Sequence, residues 1–209
     1  MKRTVILFSL CIAFLSVIHA QNIKASPLEG CWVWDGKGDE PNDTELVFVG
    51  NIMLTKLYNE MFYEGTIFSY TARTLDFMEG EYVWKYRISG NTLNITDDYD
   101  GSYKYVKVQN VKSPLEGIWK LTGGVDYLPG EDRFIVFTRD IMAFSNDVYE
   151  YQGYRVEFKG KKIFPSMEFL SEDGISAEKL SEMIMDYNLS GVILTISVED
   201  ESNTLIKVY

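Results

Sequence analysis

The sequence predicts an all-β protein: a tandem duplication of antiparallel up-and-down β-barrels, with a short helix inserted in the second half. Three observations predict this fold class. The stretch SPLEGCW at 26–32 returns as SPLEGIW at 113–119. Apolar and polar residues alternate with a period of two in runs rich in aromatic and β-branched residues. Glycine, asparagine and aspartate separate these runs at short intervals, as turns between strands require.

The two halves match at further places in the same order, which is the mark of an internal repeat. The matched pairs are 47–53 with 136–142, 63–65 with 151–153, and 86–95 with 187–196. The offset between partners is 87 to 89 up to residue 153 and about 100 beyond it. The second half therefore carries an insertion of about a dozen residues between Pro165 and Met183. Within it, Ser176 precedes Ala-Glu-Lys-Leu, a pattern typical of a short capped helix.

Each half is predicted to contain eight short strands. In the first strand, Trp32 and Trp34 alternate with Cys31 and Val33, and the polar segment 36–43 then forms a loop. The predicted strands of the first half lie near 30–35, 44–49, 52–57, 60–70, 73–77, 81–88, 92–96 and 102–108. The second half gives eight candidates at the matching places.

Glycine marks two of the turns. Ser89-Gly90-Asn91 and Ser190-Gly191 are predicted hairpin turns, because glycine supplies the positive φ that a tight connection needs. An eight-strand meander leaves two exposed edges unless the first strand pairs with the last, so each half is expected to close into its own barrel.

The predicted organisation is a signal peptide at 1–20, one barrel at 26–111 and a second at 113–209, with a linker near 109–113. A single larger barrel or sandwich built jointly by the two halves is the competing arrangement.

Gly30-Cys31-Trp32 and Gly117-Ile118-Trp119, each at the entry to a first strand, resemble the Gly-x-Trp signature of lipocalins and the wider calycin group. The later rhythm of the halves is similar to the small lipocalin-like repeats of exported bacterial proteins. The resemblance implies a β-barrel with a ligand-binding mouth. An inward tryptophan would plug the narrow barrel end with up to roughly 250 Å² of ring surface. At about 25 cal/mol per Å², that burial is worth several kcal/mol. The glycine before it would let the chain cross that end closely.

The first twenty residues have the pattern of a secretory signal: Lys2 and Arg3, an apolar run, and a small residue, Ala20, at the expected cut. Acylation of Cys11, which would make a lipoprotein, is the weaker alternative. The apolar run falls short of the roughly 20 residues that span a bilayer, so no membrane span is expected. The protein is expected to be periplasmic or extracellular.

Removal of residues 1–20 also removes Cys11 and His19, the only histidine. With Cys31 as the one remaining cysteine, common Cys/His zinc sites and histidine-based mechanisms are excluded. Carboxylate-only, lysine-based and tyrosine-based chemistries survive this exclusion, but no glutamate stands out as a catalytic residue, so we expect no enzyme activity, metal or cofactor. Loss of Lys2 and Arg3 leaves 18 basic against 31 acidic residues, a net charge of −13, so nucleic acid is not an expected partner.

Aromatic residues are the candidates for ligand binding, although core packing and cross-strand pairs account for them equally well. The candidates are Trp34, Phe68, Tyr70, Trp84, Tyr86, Tyr154, Phe158 and Tyr187. The acidic run 97–101 could bind Ca²⁺, but its order is not that of an EF-hand, and Asp and Gly are ordinary hairpin residues. Cys31 matches Ile118 in the repeat, so a buried, inert thiol is expected, with a reactive or dimer-forming thiol as the alternative.

Taken together, the residues and the resemblance suggest an exported, non-enzymatic binding protein. Its ligand would be a small apolar molecule in a barrel mouth or a macromolecular partner. The alternative is a structural or interaction protein of the cell envelope with filled barrels and no small ligand. A cavity of about 300 Å³ or more would favour the first.

Overall fold

A computed structural model describes residues 25–37, 41, 43–57, 62–77, 80–99, 101–109, 112–145, 150–166 and 183–209. In these ranges the chain forms sixteen β-strands and no α-helix. The all-β prediction is confirmed. The predicted signal peptide, 1–20, and the predicted helix that begins near Ser176 lie outside the described residues.

The strands follow the predicted spacing. Those of the first half are β1 Gly30–Trp34, β2 Asp43–Val49, β3 Ile52–Leu57, β4 Tyr63–Tyr70, β5 Thr74–Phe77, β6 Tyr82–Ser89, β7 Thr92–Thr96 and β8 Ser102–Lys107. Those of the second half are β9 Gly117–Gly124, β10 Phe134–Thr138, β11 Ile141–Ser145, β12 Glu150–Lys159, β13 Lys162–Pro165, β14 Met185–Ser190, β15 Ile193–Val198 and β16 Glu201–Lys207. In the first half every bound agrees with the prediction to within one residue, except the start of β4.

Each set of eight strands closes on itself through antiparallel pairs. In barrel 1, formed by β1–β8, every strand pairs with the next and β8 pairs back with β1, as Val106 opposite Val33 illustrates. In barrel 2, formed by β9–β16, the closing pair is β16 with β9, with Leu205 opposite Leu121. Closure leaves neither ring with a free sheet edge. The removal of exposed edges is the reason that closure was expected from the sequence.

The two rings are also hydrogen-bonded to each other, so all sixteen strands belong to one sheet. The joint is an antiparallel pair of β4 with β12, which we call the seam. Residues 63–66 of β4 pair with β12, whereas residues 68–70 of the same edge pair with β5. The arrangement therefore combines separate closed barrels with the joint sheet that the competing prediction required.

Matched residues of the repeat face each other at the seam. Gly65 lies opposite Tyr151, and Gly153 lies opposite Tyr63. A Cβ at Gly65 would lie 2.8 Å from the Tyr151 Cβ, and a Cβ at Gly153 would lie 2.7 Å from that of Ala143. Both distances are too short for real carbon atoms. Gly65 therefore allows β4 to approach β12 across the seam, whereas Gly153 allows β12 to pack against β11 within barrel 2.

Three separate apolar clusters stabilise the molecule. One fills barrel 1, a second fills barrel 2, and a third lies between the barrels. The inter-barrel cluster uses matched positions from both halves, such as Cys31 with Ile118 and Ile52 with Ile141. In β2, residues 46–49 are buried on both faces, because one face packs inside barrel 1 and the other packs against barrel 2.

A group of ionic side chains crosses the same interface beside this cluster. The Glu45 carboxylate from β2 lies 2.9 Å from Nη2 of Arg155 and 3.6 Å from Nη1 of Arg139, both from barrel 2. The hydroxyl of Tyr63 and the thiol of Cys31 donate to the same carboxylate. We call these five residues the Glu45 cluster. It has no equivalent on the other side of the interface, because the residue that matches Glu45 in the repeat is Phe134.

One end of each barrel is closed by the tryptophan that the sequence predicts. Trp32 and Trp119 are each 1% exposed, and their indole nitrogens donate to the carbonyl oxygens of Leu28 at 2.6 Å and Leu115 at 2.7 Å. The amino groups of lysines lie above the rings, that of Lys107 at 5.0 Å from the Trp32 centroid.

The glycine before each plug tryptophan has a positive φ, +113° at Gly30 and +133° at Gly117. A Cβ at Gly117 would also collide with the Tyr209 carbonyl oxygen. The expectation that a side chain cannot be accommodated at these two positions is therefore correct.

Candidate functional site

A cavity of about 640 Å³ lies at the end of barrel 1 opposite the Trp32 plug. Its lining comes from the ends of β2 to β8 that share this side of the barrel, together with the start of β12. The lining residues are Pro41, Asp43, Met53, Thr55, Glu64, Gly65, Thr66, Phe77, Tyr82, Trp84, Ile95, Asp97, Asp98, Tyr99, Tyr103, Tyr105, Glu150, Tyr151 and Gln152.

The seam explains why the cavity reaches beyond barrel 1. A strand edge can pair with only one partner at a given residue, and residues 63–66 of β4 use theirs on β12. The wall between β4 and β5 is therefore hydrogen-bonded only at residues 68–70, near the plugged end. At the other end β12 stands in place of β5, and Glu150 and Gln152 line the cavity.

The inner surface of the cavity is largely aromatic. Phe77, Ile95 and Tyr105 are buried members of the barrel 1 core, and they form apolar lining. The Trp84 ring packs edge-on against Phe77, with 4.9 Å between centroids. The Tyr105 hydroxyl donates to the backbone oxygen of Asp43 at 2.9 Å, which fixes the ring at the wall.

Two of the five lining carboxylates are held by the β7–β8 hairpin. Asp97 accepts from the backbone amides of Tyr99 at 2.9 Å and Gly101 at 2.8 Å, which is how aspartate stabilises a turn. Asp98 accepts from the Val83 amide at 3.1 Å. Within the described ranges, no group of three or more His, Cys, Asp or Glu residues could hold a metal ion, and Asp100 lies outside those ranges.

Among the carboxylates of the cavity, Asp43 is the one whose pKa lies furthest from its ordinary value. The pKa of its carboxyl group is raised from 3.8 to about 6, chiefly by burial; a hydrogen bond from Thr55 opposes this shift, and the nearby Glu64 carboxylate adds to it. No lysine, arginine or histidine is among the described lining residues. At neutral pH the ionised form of Asp43 therefore lies beside aromatic rings without a cation to compensate for its lost hydration.

This pKa predicts that Asp43 destabilises the folded protein above about pH 6. Between about pH 4 and 6 the folded state holds a proton that the unfolded chain has released, so stability falls as pH rises through this range. Asp43→Asn removes the charge and is expected to raise the free energy of unfolding at pH 7.5 by about 1–3 kcal/mol. The gain should disappear at about pH 3.5, because the Asp43 carboxyl group is then protonated in the folded protein and largely protonated in the unfolded chain.

Urea denaturation at the two pH values measures this effect. Glu157→Gln, a change to an exposed carboxylate of β12 that does not line the cavity, is the matched control and should alter stability by less than about 0.5 kcal/mol. Equal stability of Asp43→Asn and wild type at pH 7.5 would contradict the assignment.

A smaller cavity of about 280 Å³ occupies the corresponding end of barrel 2. It is lined by Leu121, Val125, Asp126, Arg133, Phe134, Ile135, Met142, Phe144, Ser145, Met185, Ile196, Val198, Glu201 and Asn203. Unlike the cavity of barrel 1, its lining includes a cation, Arg133, which pairs with Glu131 at 3.0 Å.

The structure brings only one of the eight predicted binding residues, Trp84, to the lining of either cavity. Phe68 and Tyr86 are buried in the barrel 1 core, and Tyr86 donates to the Thr71 backbone oxygen at 2.8 Å. Tyr70 is partly exposed and donates to the Ala25 backbone oxygen. Trp34 packs against the barrel 1 core, and its buried indole nitrogen has no hydrogen-bond partner in the described part of the chain.

The three candidates of the second half pack against the core of barrel 2. They are Tyr154, Phe158 and Tyr187. Burial raises the pKa of Tyr154 to about 12, and the Tyr187 hydroxyl donates to the Gly160 backbone oxygen at 3.1 Å.

Sequence reasoning missed Asp43, Glu64, Tyr103 and Tyr105 as lining residues. A usable signal existed, because in an up-and-down barrel the ends of odd-numbered strands and the starts of even-numbered strands meet at one end. Asp43, Glu64 and Tyr103 lie at such starts, whereas Phe68 and Tyr70 lie toward a strand end at the plugged side.

Cys31 is fully buried in the inter-barrel cluster. Burial, together with the neighbouring Glu45 carboxylate, raises the pKa of its thiol to about 12. The thiol is therefore neutral at physiological pH and inaccessible, which agrees with the expectation of an inert cysteine.

No family model matches this chain. No curated protein matches it either. Among solved structures, the β subunit of DNA polymerase III from Pseudomonas aeruginosa aligns at 9% identity over 88% of this chain and 58% of that one, with a TM-score of 0.23. The same subunit from Thermotoga maritima aligns at 9% identity over 89% and 58%, with a TM-score of 0.17. The β clamp of Helicobacter pylori in complex with carprofen aligns at 9% identity over 78% and 54%, with a TM-score of 0.20.

The chain thus spans less than two thirds of the length of these structures, and TM-scores this low indicate neither a shared fold nor a shared function. Nothing in the described ranges forms a helix of the length and apolar character needed to cross a bilayer.

Proposed function

We propose that this chain is an exported, non-enzymatic binding protein that holds a small ligand in the cavity of barrel 1. The cavity itself carries the proposal. Its volume of about 640 Å³ falls within the range of about 300–1,000 Å³ typical of small-molecule sites. Its walls combine seven aromatic side chains with five carboxylates, and such a mixture of apolar and polar groups can give both affinity and orientation.

The unfavourable chemistry of Asp43 also supports a binding role. A partly buried carboxylate without a cation costs stability, and a residue with such a cost is expected where function needs it. The closed eight-stranded rings with a Gly-x-Trp plug and an open opposite mouth agree with a lipocalin-like barrel, in which ligands enter at the unplugged end.

We also infer that the chain arose by duplication of one barrel. Matched residues make matched contacts in both halves, including the indole bonds of Trp32 and Trp119 and the crossed pairs of Tyr63 with Gly153 and Gly65 with Tyr151. Such crossed contacts are what a symmetric dimer of identical barrels would make. The Glu45 cluster then favours the pairing of barrel 1 with barrel 2 over a pairing of two identical barrels.

Native mass spectrometry of protein purified from its own host tests the binding proposal. Thr66→Trp places an indole in the cavity wall on β4, and Ser69→Trp places one at an exposed position of the same strand as the control. We expect wild type and Ser69→Trp to carry a small-molecule adduct that Thr66→Trp lacks.

An adduct retained equally by Thr66→Trp would locate the ligand elsewhere. Absence of any adduct in wild type, together with no thermal shift from a diverse set of small molecules, would refute the proposal.

The alternative role, an interaction protein without a small ligand, draws support from exposed apolar side chains in the β9–β10 connection. Val125, Tyr127 and Leu128 are exposed there. The cavity in barrel 1 argues against the filled barrels that this alternative requires.

A further inference from the structure

We propose that the ligand of the barrel 1 cavity is a small organic cation, an ammonium group on an apolar body. This inference rests on the proposed binding function and deepens it by naming the ligand class. Three features of the cavity carry it: the sign of its charge, its aromatic lining and the position of Asp43.

The charge of the lining has one sign. Five carboxylates line the cavity, and none of its described lining residues is basic. The described residues of the strand connections at this end, 35–37, 41, 62, 80–81, 97–99 and 101, include four acidic side chains, Asp35, Glu81, Asp97 and Asp98, and one basic one, Lys37. A concave site with charge of one sign attracts ligands of the opposite charge and repels anions such as fatty acids.

The aromatic lining suits the same class of ligand. Seven aromatic side chains line the cavity: Phe77, Tyr82, Trp84, Tyr99, Tyr103, Tyr105 and Tyr151. The faces of such rings are electron-rich, so they attract an ammonium group and also pack against an apolar body. This protein already places cations over rings elsewhere, as with Lys107 over Trp32 at 5.0 Å.

Asp43 supplies the specific ion pair. It lies at the start of β2, between Thr55 of β3 and Tyr105 of β8, with Glu64 on the neighbouring β4. Apart from the hydrogen bond from Thr55, nothing in the described lining offsets its negative charge, because none of the lining residues is basic. An ammonium group would do so, and burial strengthens that attraction relative to water.

Isothermal titration with three benzyl probes of similar size tests the inference. Benzyltrimethylammonium is the cation, benzyl alcohol the neutral compound and phenylacetate the anion. We expect the cation to bind at least about tenfold more tightly than benzyl alcohol, as a desolvated cation–aromatic contact with an adjacent carboxylate implies. Phenylacetate should bind most weakly.

Asp43→Asn should weaken binding of the cation about tenfold or more and leave that of benzyl alcohol unchanged. Glu157→Gln, which removes an exposed carboxylate of β12 that pairs with Lys159, is the matched control for overall charge and should change neither affinity. Thr66→Trp should abolish binding of every probe that enters the cavity.

The outcomes distinguish a failure of the cation preference from a failure of the proposed binding function. If benzyl alcohol or phenylacetate binds as tightly as the cation, and Thr66→Trp blocks that binding, the cavity is a ligand site but the cation preference is wrong. The same conclusion follows if Asp43→Asn and Glu157→Gln weaken cation binding equally. If no probe binds and no adduct accompanies the protein from its host, the binding function itself fails.

Discussion

Replacement of Trp32 or Trp119 by alanine is expected to lower the free energy of unfolding by about 3–5 kcal/mol in each case. Both indoles are 1% exposed, so truncation leaves a cavity at the plugged end of the barrel. It also leaves the carbonyl oxygen of Leu28 or Leu115 without its indole donor. Because the two plugs make the same contacts, the two losses should be similar.

Urea denaturation followed by circular dichroism measures these losses. Trp84→Ala is the internal control, because Trp84 is only partly buried and lines the open end of barrel 1, and its loss should be smaller. Trp32→Phe retains a ring but not the hydrogen bond to Leu28, and it should cost about 1–3 kcal/mol, which keeps the test informative if an alanine variant does not fold. Losses below about 1 kcal/mol for both alanine variants would mean that the plug assignment is wrong.

The second large effect is expected at the Glu45 cluster. Glu45→Ala should destabilise the protein by about 3–5 kcal/mol, because it leaves Arg139, Arg155 and the Tyr63 hydroxyl partly buried without their shared acceptor. In this variant Arg155 keeps its ion pair with Asp140, whereas Arg139 loses its ion pair with Glu45. Its Nε is already buried without a hydrogen-bond partner in the described part of the chain.

Glu131→Ala is the matched control, since it breaks an exposed ion pair with Arg133 and should cost at most about 1 kcal/mol. Glu45→Gln, which keeps an acceptor oxygen but loses the charge, should fall between the two. If Glu45→Ala costs no more than Glu131→Ala in urea denaturation, the cluster does not stabilise the contact between the barrels.

The elements of the fold were predictable because their causes are local. Alternation in Cys31–Trp34 and a glycine in Ser89-Gly90-Asn91 require only neighbouring residues to predict a strand and a turn. The repeat allowed the same reasoning to be applied twice, and closure followed from the cost of free edges. The contact between the barrels is harder to predict from the sequence, although residues 46–49 and 141–143 are continuous apolar runs. Such runs indicate burial on both faces, which agrees with their position at the contact between the barrels.

The candidate site was predicted less well, and the reason is physical. Aromatic type alone does not distinguish a core residue such as Phe68 from a lining residue such as Trp84, because both lie on the inner face of the same barrel. Which inner residues line a cavity depends on which end is plugged and on how the walls are hydrogen-bonded, and these are properties of the closed sheet.

By itself, the sequence determined that the chain forms short strands, repeats itself, and places a glycine and a tryptophan at the entry to each half. Only the tertiary structure decided that β4 divides its edge between β12 and β5, and that Glu45 meets two arginines from the other half. These features join residues up to 110 positions apart. Period and turn chemistry are encoded within a few residues, whereas contacts at such separations depend on how whole barrels pack.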